Sequence, residues 1–139
     1  MKVSRIDHVA LAVPDISRAA LQLGALGLRA EPPELVAPQQ TLVAFVPVGE
    51  TSLELIAPAG NASLQRFLER RGPGLHHVCL EVGDLAATLD ELKARGVRLI
   101  DEAPRPGARG HLTAFVHPSA TGGLLVELCQ SASPAPEQP

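Results

Sequence analysis

A chain of 139 residues has room for one domain, or for two small units that share a core, and its 45% hydrophobic content is that of a folded protein. A net charge of −3, with three Phe and no Trp or Tyr, supplies neither the basic surface nor the stacking platform that nucleic-acid binding needs. No apolar run approaches the roughly 18 residues of a membrane span, residues 1–15 lack the apolar core of a signal peptide, and two cysteines make no disulfide framework, which predicts a cytoplasmic, reducing environment.

Residues 6–13 alternate as a strand. Asp15 then offers a carboxylate as N-cap to a helix whose apolar face is Ile16, Ala19, Ala20 and Leu23, ending near Gly24 to Gly27. Three shorter strands are expected near residues 29–31, 41–47 and 52–57. Asn61 can cap a short helix with Leu64, Phe67 and Leu68 on one face, and Gly72-Pro73-Gly74 breaks the chain after it. The first pattern then returns. Residues 75–82 form a strand, Asp84 caps a helix built on Leu85, Leu89 and Leu92, and Gly96 takes the left-handed C-cap. Strands are expected near 98–101, 112–117 and 124–130. Pro32-Pro33 and residues 104–110 read as loops, and the Ser/Pro-rich segment 131–139 as a disordered tail.

The return is an internal repeat. An offset of 69 residues aligns His8 with His77, Asp15 with Asp84 and Gly27 with Gly96. Ala44-Phe45-Val46 meets Ala114-Phe115-Val116 at 70, and Leu53-Glu54-Leu55 meets Val126-Glu127-Leu128 at 73. The expected architecture is therefore α+β: two tandem βαβββ modules forming a curved mixed sheet around a metal-binding cleft. The first module takes residues 1–60, a linker helix 61–74, the second module 75–130 and the tail 131–139.

Each unit gives one His from its first strand and one Glu from its last: His8 and Glu54, His77 and Glu127. Because side chains alternate along a strand, the Leu and Val neighbours of each Glu can pack on the helices while the His/Glu face is left for a cavity. Two imidazoles and two carboxylates suit a divalent transition metal, and buried carboxylates are costly unless paired or metal-bound. The same alternation places Asp7 opposite His8, and His76 opposite His77. Cys79 and Cys129 have the parity of the cavity face, where small buried residues are expected. His111 and His117 have no repeat partner. Arg105-Pro-Gly-Ala-Arg109-Gly is a basic loop suited to an anion.

Paired βαβββ units with His/Glu strands resemble the vicinal oxygen chelate superfamily, which includes glyoxalases, bleomycin-resistance proteins and dioxygenases, and within it the methylmalonyl-CoA epimerases. The similarity spans residues 4–130. It is most specific in Arg70-Arg-Gly-Pro-Gly-Leu-His-His77, in Gly96-Val-Arg-Leu-Ile-Asp-Glu-Ala-Pro-Arg-Pro-Gly107 and in His117-Pro-Ser-Ala-Thr-Gly-Gly-Leu-Leu-Val-Glu-Leu-Cys-Gln130. His8, His77 and Glu127 fall on that family's metal positions, and Glu54 on the fourth, which some relatives fill with Gln.

The resemblance implies an isomerase that inverts C2 of methylmalonyl-CoA by proton abstraction and reprotonation through a metal-stabilised enolate, with Glu127 as base. It implies cobalt as the ion, with zinc, nickel or manganese also compatible, and a homodimer. Some relatives carry a Glu where this chain has Val43, so Glu54 or water is left as the second acid. Gln39, Arg105, Arg109 and Ser119 are the candidate substrate contacts, Ser119 standing where relatives often carry Lys. The alternatives are a glyoxalase I, a two-His, one-carboxylate iron dioxygenase, which a fourth ligand argues against, and a metal-free binding protein of the same fold. Composition further predicts a cavity with little aromatic packing, and leaves the metal and a few loop arginines to hold an anionic CoA ester.

Overall fold

A computed structural model describes residues 1–132; the larger part of the expected tail lies outside the described residues. The first half runs β1 (Val3–Ala12), α1 (Ile16–Gly24), β2 (Glu34–Val36), β3 (Thr41–Val48) and β4 (Thr51–Pro58). Helix α2 (Ala62–Arg71) follows. The second half repeats the order with β5 (Gly74–Val82), α3 (Leu85–Ala94), β6 (Arg105–Pro106), β7 (Leu112–Val116) and β8 (Val126–Gln130).

All eight strands join one mixed sheet in the order β2-β3-β4-β1-β5-β8-β7-β6. β1 and β5 pair antiparallel at its centre, and each is flanked by the last strand of its own half, running parallel to it. That order brings the four His/Glu strands together as neighbours, β4-β1-β5-β8, with the shorter strands outside them.

Local chemistry sets the helix ends. Asp15 Oδ1 accepts from Arg18 N at 3.1 Å and Asp84 Oδ1 from Ala87 N at 3.0 Å, satisfying amides that have no intrahelical acceptor. Gly27 and Gly96 take φ values of 84° and 76°, a conformation open to Gly and costly for a residue with a Cβ. Asn61 Oδ1 caps α2 through Leu64 N at 2.9 Å.

On one side of the sheet, α1 covers Ala44, Val46, Leu55 and Ala57, and α3 covers Ala114, Val116, Val126 and Leu128. These are the neighbours in sequence of the cavity residues, as alternation requires. On the other side α2 contributes Leu64 to a cluster with Ala10, Ala12, Val43, Phe45 and Ile56.

Both short edge strands lie later in the chain than expected. Residues 29–31 and 98–101 pass the sheet with isolated contacts, Glu31 N to Phe45 O at 2.7 Å and Ile100 N to Phe115 O at 2.9 Å, and Leu99 bridges Val116. In the first half the reason is visible: Pro32 and Pro33 have no N–H to donate, so the ladder resumes only at Glu34.

Candidate active site and metal centre

The sheet curls around a cavity of about 480 Å³. His8, Glu54, His77 and Glu127 line it, and each is 4 to 5% exposed. His8 Nε2 lies 3.1 Å from Glu127 Oε1 and 3.5 Å from Glu54 Oε1. His77 Nε2 lies 3.3 Å and 3.8 Å from the same two oxygens, and 3.4 Å from His8 Nε2. Donors placed about 2.1 Å from one tetrahedral centre would be about 3.4 Å apart, so these four atoms fit a divalent ion. The donor set also fits: two borderline nitrogens and two hard oxygens suit several first-row ions.

The four side chains hold one another by charge. Burial opposes a charge on His8, yet hydrogen bonds to Asp7 and Glu127, and the charges of Glu54 and Glu127, push its pKa up to about 10. Burial works against ionisation of Glu127 too, but the imidazoles of His77 and His8 hold its carboxyl well below the usual range. Burial raises Glu54, and the charge of Glu127 adds to that rise.

Two residues expected on the opposite face stand directly behind the two histidines. Asp7 Oδ2 is 2.7 Å from His8 Nδ1, and His76 Nδ1 is 2.8 Å from His77 Nδ1. The β1–β5 ladder shifts register between Ile6 and His8 and again between Ala10 and Leu11, which breaks simple alternation. Asp7 is 3% exposed and clamped by Arg5 at 2.9 Å and Arg109 at 3.4 Å. Its carboxyl is held low: burial opposes this, but the His8 hydrogen bond and the charges of His8, Arg109 and Arg5 prevail. Burial, followed by the charge of His77, drops His76 to about 4. One signal in the sequence pointed to this pair, since residues 7 and 76 share the 69-residue offset of the histidines they support.

The aromatic expectation is also corrected. The few phenylalanines are concentrated at the site, Phe45 edge-on to His8 at 5.7 Å, Phe115 to His77 at 5.1 Å and Phe67 to His76 at 4.8 Å.

Of the candidate substrate contacts, Gln39, Arg105 and Arg109 line the cavity and Ser119 does not. Ser119 is exposed and bonded to His117 Nδ1 at 2.8 Å. Gln39 Nε2 donates to Pro106 O and Thr113 Oγ1, joining the rims of the two halves. Arg105 pairs with Asp101 at 3.1 Å, while Arg109 lies 3.7 Å over the Phe45 ring. Arg109 has φ 57°, a strained backbone for a residue with a side chain. His111, which has no repeat partner, lines the cavity beside Asp7 and Cys129. Cys79 and Cys129 are buried and unlinked. The hydrogen bond from Cys79 and, against burial, the one from His111 lower the Cys129 thiol to about 7.

Residues 7–115 match the sequence profile of the glyoxalase/bleomycin resistance protein/dioxygenase superfamily. The chain is 38% identical over 132 residues to the mitochondrial methylmalonyl-CoA epimerase of Bos taurus, covering 93% of this chain and 75% of the relative. It is 39% identical to the ethylmalonyl-CoA/methylmalonyl-CoA epimerase of Cereibacter sphaeroides, covering 92% and 98%. A variant of the Streptomyces coelicolor methylmalonyl-CoA epimerase, solved with 2-nitronate-propionyl-CoA, superposes with a TM-score of 0.89 at 28% identity, over 96% of this chain and 100% of that one. The chain belongs to the methylmalonyl-CoA epimerase family of isomerases, within the glyoxalase/bleomycin resistance protein/dioxygenase superfamily.

Proposed function

We propose that this protein is a metal-dependent epimerase acting at C2 of methylmalonyl-CoA. The observation that carries the reading is the convergence of His8 Nε2, His77 Nε2, Glu54 Oε1 and Glu127 Oε1, one pair from each half, within 3.8 Å of one another's imidazoles in the cavity of a chain from this family. His8, Glu54, His77 and Glu127 would hold the ion, cobalt being the first candidate and zinc, nickel or manganese the others. The ion would supply Lewis acidity toward the thioester and carboxylate oxygens and so lower the cost of an enolate at C2.

The proton transfers fall to the two carboxylates. β4 and β8 lie on opposite sides of the β1–β5 pair, so Glu54 and Glu127 enter the cavity from opposite halves of the sheet. Glu127 takes the C2 proton, and Glu54 or a water beside it returns one to the other face. Val43 is buried and apolar on the cavity wall, so β3 offers no proton donor there. Arg109 and Arg105 line the cavity paired with Asp7 and Asp101, and Gln39 braces the loop that carries them.

Incubating one methylmalonyl-CoA epimer in deuterated water, with and without added cobalt, tests the reading. Racemisation with one deuterium at C2, dependent on the ion, is expected. No exchange at C2 alongside turnover of the methylglyoxal–glutathione adduct would transfer the chain to the glyoxalase reaction. A homodimer belongs to the same proposal, and sedimentation equilibrium tests it. Two unlinked cysteines support placing the enzyme in a reducing compartment such as the cytoplasm.

A further inference from the structure

Along β5 and β8, the next side chains turned to the cavity side after the His/Glu donors are thiols. Cys79 stands two residues beyond His77, and Cys129 two beyond Glu127. Cys79 is fully buried opposite His8 of β1, and Cys129, 1% exposed, lines the cavity. Cys79 donates a hydrogen bond to Cys129. The first half has no such pair. The repeat sets Ala10 against Cys79 and Ile56 against Cys129, and both pack in an apolar cluster. Packing at these places is therefore met without sulfur.

Two other donors reach the thiols. Ligand atoms of Asp7, His111 and Cys129 lie within 4.8 Å of one another, and Cys79 Sγ lies within the same distance of the Asp7 carboxylate. Asp7 comes from β1, Cys79 from β5, Cys129 from β8 and His111 from the turn before β7. His111 is half-buried on the cavity wall, which gives an ion a way in. The hydrogen bond to His8 accounts for Asp7, but it gives no reason to set an imidazole against a buried thiol.

We propose that Asp7, Cys79, Cys129 and His111 form a second metal site for a thiophilic divalent ion such as zinc, separate from the His/Glu centre and independent of the epimerase reading. Two sulfurs, one nitrogen and one oxygen make a tetrahedral zinc set. Donors around such an ion stand about 3.4 to 3.8 Å apart, so the present spacing closes with side-chain movements of about 1 Å. Binding ionises both thiols and releases their protons to solvent. Arg109, exposed and 3.4 Å from Asp7, is the contact that yields, while Arg5 stays to offset the surplus negative charge. The His/Glu centre carries no sulfur and suits harder ions, so the two sites sort metals by softness.

Titrating reduced, metal-free protein with cobalt tests the proposal, because thiolate-to-cobalt charge transfer absorbs in the near ultraviolet and imidazole or carboxylate ligation does not. Two equivalents are expected to bind, one of them bringing this band, and added zinc should erase it. Cys129→Ser is expected to abolish the band and keep one equivalent. His111→Gln changes a half-buried side chain outside the core. It should weaken the band-forming step by at least about 100-fold, the upper end for a lost outer-shell partner. His77→Gln should keep the band and lose the other equivalent. No band in wild type at millimolar cobalt, a band unchanged in His111→Gln, or a band lost in His77→Gln would overturn the assignment; the last would put the sulfur on the His/Glu ion. A band that survives in His77→Gln while wild type binds only one equivalent leaves the thiol site standing and removes the metal from the epimerase reading.

Discussion

The first half backs its cavity histidine with a carboxylate, and the second backs its own with an imidazole. Asp7 and His76 occupy matched positions, at similar distances from His8 Nδ1 and His77 Nδ1. Their environments differ. Against burial, the His8 hydrogen bond and charge, then Arg109 and Arg5, hold the Asp7 carboxyl low, whereas burial lowers His76. The matched positions thus share the geometry of support and differ in its charge. A histidine hydrogen-bonded to a carboxylate is the more basic ligand, so on the proposed reading the halves would hold an ion unequally.

The strongest way to break the comparison is through the two carboxylates. Glu127→Gln is expected to lower kcat about 10³-fold, within the range of a lost general base. Glu54→Gln should separate exchange from inversion: the C2 proton of one epimer still washes out in deuterated water, but the other epimer no longer forms. Wild-type turnover by Glu127→Gln would remove that residue from the chemistry.

The cores differ as well. α3 buries Leu85, Leu89 and Leu92, while α1 buries only Ile16 fully. Leu89→Ala should therefore cost about 3 kcal/mol in denaturant unfolding, and the half-buried Leu23→Ala about 1 kcal/mol. Equal losses would mean that the two helices are equally well seated.

A smaller effect concerns the supports themselves. Asp7→Asn should weaken cobalt affinity about 10- to 100-fold, and His76→Gln only a few-fold, as read by competition with a chelator. Equal losses would erase the asymmetry between the halves.

The gentlest probe is pH on metal-free protein. His8, raised from 6.5 to about 10, contributes stability that is complete below pH 6.5 and lost as pH climbs through 10. His76, lowered from 6.5 to about 4, takes up a proton more readily when unfolded, so its contribution falls as pH drops from 6.5 to 4. Thermal midpoints should then decline on both sides of about pH 6.5. Asp7→Asn should flatten the alkaline limb and His76→Gln the acid one.

The repeat carried much of this architecture into view. Matched His, Glu, Asp and Gly positions were enough to place the four strands that converge and the caps that bound their helices. Alternation failed where the β1–β5 ladder shifts register, because a shift turns neighbouring side chains to the same side; Asp7 and His76 were hidden for that reason. Phe45 and Phe115 sat in the repeat in plain sight, but their part in packing the imidazoles depends on cross-strand register, Phe45 with Glu54 and Phe115 with Glu127. The basic loop suggested arginines for an anion, yet Arg105 already faces Asp101 and Arg109 already faces Asp7. A composition cannot say which of its cations are spoken for.

The antiparallel β1–β5 pairing has a last consequence, for folding. Each half supplies only two of the four donors, so neither half can form the site alone. On the proposed reading, an ion bound across the seam would act as a rivet: opening either half would forfeit coordination from both. Its binding free energy would add to the stability of the pair as RT ln(1 + [L]/Kd), and two modestly sized repeats, each with a small core, would unfold as one cooperative body while it is in place.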